Sequence, residues 1–280
     1  MPALTGGTLM ESESMEVQGL KPQQKSVAVV VASRDSSIDL WDPLWTMFQM
    51  HWPDCPYPLY LVSNLSDYSR AGVSTIAVGP DRSWSDTLLA ALRRVREEYV
   101  LLWIDDHFIS RPVKAEEIVA AVDAFKSVDG NYLRLQSLPK PDAPFNRHFG
   151  VVRSGSLYRT ATVASVWKKS VLTELLQPGE SAWDFEMGGS IRSDKYDGFY
   201  STWHDCFRIE NLLIKGRIWR SSQRHIERSL GRRLDLDRPI MSRAEQTVLT
   251  LRIIGNRLLV RLPRRFARVL RSTSHSDKAK

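Results

Sequence analysis

The alternation of apolar and polar positions along the chain predicts buried strands separated by helices. Between the strands, residues 39–50 and 84–98 repeat apolar side chains at helical spacing. Three runs are apolar almost throughout, as expected of strands covered on both faces: Val27–Ala32, Pro58–Ser63 and Tyr99–Ile104. This order predicts an α/β domain with a mainly parallel central sheet and helices on both of its faces.

The second half of the chain is predicted to continue this arrangement. Residues 116–128 have the spacing of a helix, and residues 132–136 have the composition of a strand. Residues 161–176 are predicted to be mostly helical, ended by the Pro178-Gly179 pair. Residues 208–218 contain one more short strand. In a sheet of this kind, ligands bind beyond the carboxyl ends of the parallel strands.

Composition limits the class of protein without identifying it. Hydrophobic residues make up 42% of the 280 residues and charged residues 25%, as in soluble globular proteins. The two cysteines, Cys55 and Cys206, form no CxxC spacing, which argues against a zinc site or a disulfide framework. No signal peptide or membrane-spanning run is visible, so we expect a cytoplasmic protein. Peripheral attachment at the inner face of the cytoplasmic membrane stays open.

Charge divides the chain into an acidic body and a basic end. Residues 1–207 carry 20 Lys and Arg against 26 Asp and Glu, whereas residues 208–280 carry 19 against 6. With the hydropathy pattern, this predicts a disordered leader over 1–25, a folded domain over 26–220 and a basic helical tail over 221–280.

The basic tail has arginines among apolar residues over 247–271, interrupted by Pro263. A basic amphipathic helix of this kind is predicted to lie on an anionic membrane surface. The alternative is a helix packed against the domain with its basic face in solvent. Nucleic acid is not an expected partner, because the tail has few aromatic side chains for base stacking and no known nucleic-acid motif.

Two aspartates, Asp105 and Asp106, directly follow the apolar run Tyr99–Ile104. Carboxylates at the end of a buried strand need compensation, and a divalent cation such as Mg²⁺ or Mn²⁺ supplies it. Such an ion bridges the protein to a diphosphate and neutralises charge on a departing nucleotide. The alternative is a solvated turn with Asp106 exposed. The pair therefore predicts a metal and phosphate site at the carboxyl edge of the sheet.

The segment Ile104-Asp105-Asp106-His107-Phe108 resembles the metal motif of GT-A glycosyltransferases. Its carboxylates are adjacent, unlike the commoner Asp-X-Asp pattern, so which aspartate would bind the metal is left open. Later stretches are similar to bacterial glycosyltransferases of surface-polysaccharide assembly, with Trp183-Asp184-Phe185-Glu186 as the most specific part: residues 164–169, 176–186 and 211–217. The resemblance covers residues 27–220.

The resemblance implies a GT-A-like fold and a transferase that moves a sugar from a nucleotide-sugar donor to a cell-surface glycan or lipid-linked acceptor. It implies that Arg34 and Asp35 contact the nucleotide and that Asp105 lies at the donor phosphates. Arg192 and Lys195 lie in a polar stretch and are candidate diphosphate contacts on a loop that closes over substrate, or plain surface residues. The implied ligands of Mn²⁺ or Mg²⁺ are Asp105, Asp106 and His204.

An inverting sugar transfer needs a carboxylate that accepts the proton of the acceptor hydroxyl. The resemblance implies Glu186 in this role, with Asp184 as the second candidate. Trp183 or Phe185 would offer an apolar face to the acceptor sugar. The preceding Pro-Gly pair predicts that this segment lies on a loop. The alternative is a helix that begins at Ser181 and carries acidic residues in its first turn.

Two other classes of function stay open at this point. One is a nucleotidyltransferase that makes sugar nucleotides. Those enzymes usually carry a Gly-rich phosphate loop after the first strand, and residues 33–37 contain no glycine. The other is a non-catalytic module of the same fold that binds sugar nucleotides or membranes.

Overall fold

The computed structural model describes residues 26–259, without the side chains of residues 252–254 and 256–259. The predicted leader over 1–25 lies outside the described residues. The predicted membrane-binding stretch over 247–271 lies partly outside them.

The first half of the chain alternates strands with helices. Its helices are α1 (Ile38–His51), α2 (Trp84–Leu92) and α3 (Ala115–Ser127), and a 3-10 turn over Asp35–Ser37 precedes α1. Its strands are β1 (Val27–Ala32), β2 (Leu59–Ser63), β3 (Val73–Ala77), β4 (Tyr99–Ile104) and β5 (His107–Ile109).

The second half has shorter elements. Its helices are α4 (Lys169–Leu175), α5 (Ala182–Arg192), α6 (Arg220–Leu230) and α7 (Arg243–Leu259), and a 3-10 turn over Ser193–Lys195 follows α5. Its strands are β6 (Tyr132–Arg134), β7 (Ala143–Pro144), β8 (Phe149–Val151), β9 (Ser165–Lys168), β10 (Phe199–Thr202), β11 (Ile209–Asn211), β12 (Leu213–Ile214) and β13 (Arg217–Ile218).

The central sheet has nine strands in the order β3-β2-β1-β4-β9-β6-β10-β8-β7. Strands β3, β2, β1 and β4 are parallel, and their register places Ala32 opposite Ile104. Both strands therefore end at one edge, where β1 runs into Ser33 and β4 into Asp105. Outside the nine-stranded sheet, β5 pairs with β11, and β12 pairs with β13 as a hairpin.

Helices cover both faces of the sheet, because alternate side chains of each strand enter different hydrophobic clusters. Val29 of β1 belongs to the cluster formed with α1 and α3. The next residue, Val30, belongs to the cluster formed with α2, α4 and α5. Both side chains are fully buried. The predicted α/β class, with a mainly parallel core and helices on both faces, is confirmed.

The predicted helix over 161–176 is wrong in its first part. Ser165–Lys168 is strand β9, inserted antiparallel between β4 and β6, and only Lys169–Leu175 is helical. Trp167 is fully buried in the sheet. Pairing with two neighbouring strands therefore outweighs the local helical preference, a tertiary effect that periodicity does not show.

Residues 231–241, named here the C-terminal strap, return from α6 to the domain. Leu234 and Met241 are buried. Ile218 donates its N–H to the carbonyl of Pro239 at 2.9 Å and accepts the N–H of Met241 at 3.0 Å. The strap is thus joined to the β12–β13 hairpin by backbone hydrogen bonds. Within the described residues, none of the helices has the length and apolar character required to cross a bilayer.

Candidate active site

A cavity of about 420 Å³ opens at the edge where β1 and β4 end. Its lining comes from the ends of both strands, the start of α2, the residues before α5, the β12–β13 hairpin and the C-terminal strap. The charged residues that line it are Arg34, Asp81, Arg82, Asp105, Asp106, Glu180 and Arg238. A concave space therefore lies at the edge of the sheet where the site is predicted, and its volume is within the range of ligand pockets.

Asp105 is held at the floor of this cavity by a chain of hydrogen bonds. Its Oδ2 accepts from Ser33 Oγ at 2.6 Å, and Ser33 Oγ accepts from Trp41 Nε1 at 2.7 Å. Burial and the charge of Asp106 raise the pKa of Asp105 to about 6, against the lowering effect of the hydroxyls of Ser33 and Ser37. A carboxylate in this setting is compensated best by a cation.

Asp106 is held by a different set of contacts, made with His107 and Leu212. Its Oδ1 lies 2.6 Å from Nδ1 of His107, and its carbonyl accepts the N–H of Leu212 at 2.8 Å. The Asp106 side chain is 20% exposed, so the pair is not the freely solvated turn of the alternative interpretation. Burial by itself would lower the pKa of His107, but Asp106, Glu186 and Asp105 raise it overall, which favours the charged imidazolium beside Asp106.

The donor set fits a hard divalent cation. Asp105 and Asp106 offer carboxylate oxygens at one wall of the cavity, and Mg²⁺ is commonly held by one or two carboxylates together with substrate phosphates. In the described part of the chain, no group of three or more His, Cys, Asp or Glu side chains is arranged to hold a metal. An ion bound here would take its remaining ligands from substrate and water.

His204 lies away from the aspartate pair. Its side chain is 68% exposed, and its Nε2 is 3.5 Å from Oε2 of Glu117 on α3. His204 is not among the residues that line the cavity. The structure therefore does not bring the third implied metal ligand to Asp105 and Asp106.

Three arginines from different parts of the chain line the cavity together with the aspartates. Arg34 follows β1, is 60% exposed and lies 3.7 Å from Asp81. Arg82 precedes α2 and lines the cavity as well. Arg238 comes from the C-terminal strap, and only 14% of its side chain is exposed. Its charge lowers the pKa of Asp105, so it lies within electrostatic reach of the pair.

Sequence reasoning missed Ser33, Arg82 and Arg238. Arg238 belongs to the predicted basic tail over 221–280 and lies outside the stretch 247–271 that is predicted to bind a membrane. The excess of positive charge in this tail indicates a polyanionic ligand but does not single out one arginine. Ser33 directly follows a predicted strand, and that position at the carboxyl edge of the sheet does indicate a ligand-contacting residue.

Asp35 lies next to residues that line the cavity, but its carboxylate is used in hydrogen bonds that stabilise the fold. Burial acts to raise its pKa, but hydrogen bonds from the backbone of Leu65, Asn64 and Ser66 outweigh this effect and lower it. The three N–H groups donate to its carboxylate at 2.8–3.0 Å. Asp35 therefore joins the turn after β1 to the turn after β2, and it does not line the cavity.

The Trp183–Glu186 segment lies on a helix, so the predicted loop is wrong and the alternative is confirmed. Helix α5 begins after Ser181, which forms a capping box with Asp184. Ser181 Oγ accepts the N–H of Asp184 at 3.1 Å, and Asp184 Oδ2 accepts the N–H of Ser181 at 3.3 Å. The acidic residue stabilises the helix start through these bonds and through the helix dipole.

The two aromatic residues of this segment have opposite surroundings. Phe185 is fully buried, with its ring 5.6 Å from that of Trp84 and 5.9 Å from that of Trp167. It packs in the core and presents no face to a ligand. Trp183 is 58% exposed. Of the two residues implied on the acceptor side, only Trp183 is accessible.

Glu186 is anchored one turn further along α5. Its Oε1 accepts from the backbone N–H of Thr162 at 2.9 Å and from Thr162 Oγ1 at 2.8 Å. Its charge contributes to the raised pKa of His107, which places the carboxylate within electrostatic reach of the residue after the aspartate pair. Glu186 does not line the 420 Å³ cavity itself.

Arg192 and Lys195 are engaged on the protein and do not line the cavity. Arg192 donates to the carbonyl of Leu175 and to Oε2 of Glu180, both at 2.8 Å. Lys195 lies over the ring of Tyr196, at 5.0 Å from its centroid. The stretch predicted as a closing loop is instead the end of α5 and the 3-10 turn that follows.

No protein-family model matches the chain. No curated protein matches it either. Among solved structures, TarS 1-349 from S. aureus is 12% identical, with a TM-score of 0.42 over 63% of this chain and 60% of that chain. The same TarS segment in complex with UDP-GlcNAc is 15% identical, with a TM-score of 0.39 over 84% and 72%. Mannosyltransferase PcManGT from Pyrobaculum calidifontis, in complex with GDP-Man and Mn²⁺, is 11% identical, with a TM-score of 0.45 over 90% and 74%.

The chain thus spans 60% of the length of the first of these structures.

Proposed function

We propose that this protein is a glycosyltransferase that moves a sugar from a nucleotide-sugar donor to a cell-surface glycan or lipid-linked acceptor. One observation carries the proposal: the adjacent Asp105 and Asp106, the first buried and the second 20% exposed, line one cavity with three arginines at the carboxyl edge of the sheet. Asp105 and Asp106 are suited to a divalent cation, and Arg34, Arg82 and Arg238 to phosphate oxygens.

The charges of the cavity support a diphosphate ligand together with a divalent cation. Three arginines and four carboxylates line it; Glu180 is paired with Arg192 and Arg238 with Asp39, both partners lying outside the lining. Mg²⁺ or Mn²⁺, when bound, would supply Lewis-acid stabilisation of the charge on the leaving diphosphate. The protein side of this task falls to Arg238 and Arg34, whose positive charges would hold the phosphates against the aspartate wall.

We assign to Glu186 the role of the general base that accepts the proton of the acceptor hydroxyl. Thr162 holds one oxygen of this carboxylate through two hydrogen bonds, so the group is positioned before substrate arrives. Asp184 is less suited, because its Oδ2 is used in the capping box of α5. With Glu186 as base, the transfer would invert the anomeric configuration, since attack would come from the face opposite the leaving diphosphate.

Attachment to an anionic membrane belongs to the same proposal, because it would bring the enzyme to a lipid-linked acceptor. Val248 and Leu251 of α7 are 55% and 64% exposed. Exposed apolar side chains one turn apart suit a helix that inserts one face into a lipid interface, with the arginines of 247–271 at anionic headgroups.

The decisive experiment measures nucleotide binding by calorimetry. UDP, GDP, CDP, ADP and dTDP would be titrated with Mn²⁺ present and absent, into wild-type protein and Asp106→Asn. We expect at least one nucleotide to bind in a Mn²⁺-dependent way and to lose this dependence in the variant. Asp197→Asn, an exposed carboxylate outside the cavity, serves as control and should bind as wild type. Absence of binding by all five nucleotides would refute the donor assignment.

A further inference from the structure

A second cavity, of about 520 Å³, lies on the other side of the β12–β13 hairpin. Its walls come from β11, the hairpin, the start of α6 and Thr250 of α7. Leu213 lines the first cavity and Ile214 lines the second, because successive side chains of a strand point to opposite faces. The hairpin is therefore a wall shared by both cavities.

Backbone hydrogen bonds join the two cavities through Leu212. Its N–H donates to the carbonyl of Asp106 at 2.8 Å, and its carbonyl accepts the N–H of Trp219 at 2.8 Å. Asp106 lines the first cavity and Trp219 lines the second. A ligand against Trp219 would thus rest on the backbone that positions the aspartate pair.

The polar side chains of the second cavity are positioned by the protein. Asp205 Oδ1 accepts the N–H and the hydroxyl of Ser137, both at 2.8 Å. Glu210 Oε2 accepts from Ser222 Oγ at 3.1 Å. Gln136 Nε2 donates to the carbonyl of Phe207 at 2.9 Å. Because these side chains are already held in one orientation, they lose less conformational entropy when a ligand binds.

Asn211 lines the second cavity and carries a buried polar atom without a partner. Its Oδ1 has no hydrogen-bond partner among the described residues. A buried acceptor left in this condition destabilises the protein, and a ligand hydroxyl would satisfy it once the side chain turned this oxygen toward the cavity. Asn211 pairs with His107 in the β11–β5 ladder, so this acceptor lies next to the aspartate turn in the fold.

We propose that the second cavity binds a neutral sugar unit of the acceptor, distal to the unit that carries the reacting hydroxyl. The proposal rests on the proposed function. Carboxylate and amide side chains pair with sugar hydroxyls, and the ring of Trp219 offers an apolar face to the C–H groups of a sugar. Two carboxylates, Asp205 and Glu210, line the cavity against one guanidinium, Arg208, so its balance of charge is negative and favours a neutral ligand over a phosphate.

The test uses ligand-observed saturation-transfer NMR on the full chain. The probes are the methyl glycosides of glucose, galactose, N-acetylglucosamine and rhamnose, with UDP and GDP as separate probes of the first cavity. At least one glycoside should receive saturation from wild-type protein. Trp219→Ala should weaken its binding by about tenfold, and Trp219→Phe should retain it. Trp203→Ala is the control, because Trp203 is a tryptophan that lies outside both cavities and is 41% exposed.

Two results would overturn the inference: no glycoside receives saturation from wild type, or binding persists in Trp219→Ala. If Trp219→Ala lowers the melting temperature so far that it is unfolded, Asn211→Leu replaces it, with the same expected loss and the same contrary result. Arg238→Ala should leave glycoside binding unchanged. If this variant no longer bound the glycoside, the sugar site would have to be reassigned to the first cavity. Failure of all five nucleoside diphosphates to bind wild type would refute the proposed function, whereas the glycoside result decides the second cavity separately.

Discussion

The guanidinium of Arg238 donates to both carboxylate oxygens of Asp39, from Nε at 2.9 Å and from Nη2 at 2.7 Å. The same Nη2 donates to the carbonyl of Ser36 at 2.8 Å. Asp39 lies in the first turn of α1, directly after the β1 loop, and Arg238 lies in the C-terminal strap. A planar fork of this kind fixes the arginine in one orientation, at the rim of the cavity that holds Asp105 and Asp106.

Replacing Arg238 should weaken diphosphate binding. We expect Arg238→Ala to lower the affinity for UDP or GDP by about tenfold or more, because a buried cation beside the phosphates is lost. Arg238→Lys should recover only part of this loss, since a lysine keeps the charge but not the fork. Isothermal titration calorimetry measures both. Arg232→Ala is the control, because Arg232 pairs with Asp42 of the same helix, at 3.0 Å, in an exposed position outside the cavity. Equal losses in the Arg232 and Arg238 variants would indicate a general effect on the strap.

Glu186→Gln should separate binding from chemistry. The amide oxygen of glutamine can still accept from Thr162, so the fold and nucleotide affinity should be unchanged. Without a base, transfer should fall by about 10²–10⁴-fold. The assay follows release of nucleoside diphosphate from the nucleotide sugar that binds, with a bacterial membrane extract as acceptor. Glu174→Gln, an exposed carboxylate on α4, is the control. Wild-type transfer by Glu186→Gln would remove Glu186 from its assigned role.

The Asp35 cluster should make stability depend on acid pH. The pKa of Asp35 in the folded protein lies below its ordinary value of 3.8, so its contribution to the free energy of unfolding is present above that pH. It is lost as the pH falls through the folded pKa. Asp35→Ala should therefore lower the free energy of unfolding by about 1–2 kcal/mol at pH 7. Urea denaturation at pH 7 and at pH 3 should show the difference from wild type shrinking at the lower pH, and a constant difference would contradict this account.

Phe185 and Trp183 should respond oppositely to truncation. Phe185→Ala should lower the free energy of unfolding by about 3–5 kcal/mol, because the ring fills a core space between Trp84 and Trp167. Trp183→Ala should change stability by less than about 0.5 kcal/mol, as expected of an exposed side chain. Urea denaturation measures both. A large loss of stability in Trp183→Ala, or a small one in Phe185→Ala, would show that the packing around α5 differs from the description above.

Removing the end of the chain should release the protein from anionic lipid. The cut is placed after Met241, because Met241 is buried and bonded to Ile218 and therefore belongs to the folded domain. We expect the chain ending at residue 241 to keep its melting temperature and to lose co-sedimentation with phosphatidylglycerol vesicles. Neutral phosphatidylcholine vesicles are the control and should bind neither form. Unchanged binding of the shortened chain to anionic vesicles would refute the membrane assignment for 247–271.

The parts of the fold that the sequence predicted are those where burial is visible locally. Val27–Ala32 and Tyr99–Ile104 are apolar at successive positions because both faces of these strands are covered, and the residues after them lie at the predicted edge. Strand β9 escaped prediction because its environment comes from β4 and β6, which flank it only after folding.

The candidate site was predictable only in its contiguous part. Asp105 and Asp106 are adjacent in sequence and stay adjacent in space. Arg238 comes from the far end of the chain, and its proximity to them depends on the strap and on Asp39. No local periodicity or motif carries that information. The roles implied for Arg192 and Lys195 rested on their presence in a polar stretch, whereas the structure engages both on the protein surface.

The C-terminal strap also sets an order of events during synthesis. The aspartates and β1 leave the ribosome early, whereas Arg238 and the residues that bond to Ile218 emerge only near the end of the domain. A nascent chain that has completed its sheet therefore still lacks one wall of the cavity. Ligand binding to the growing polypeptide should begin only after the strap has docked, so an unfinished copy should not bind ligand until residues 231–241 are in place.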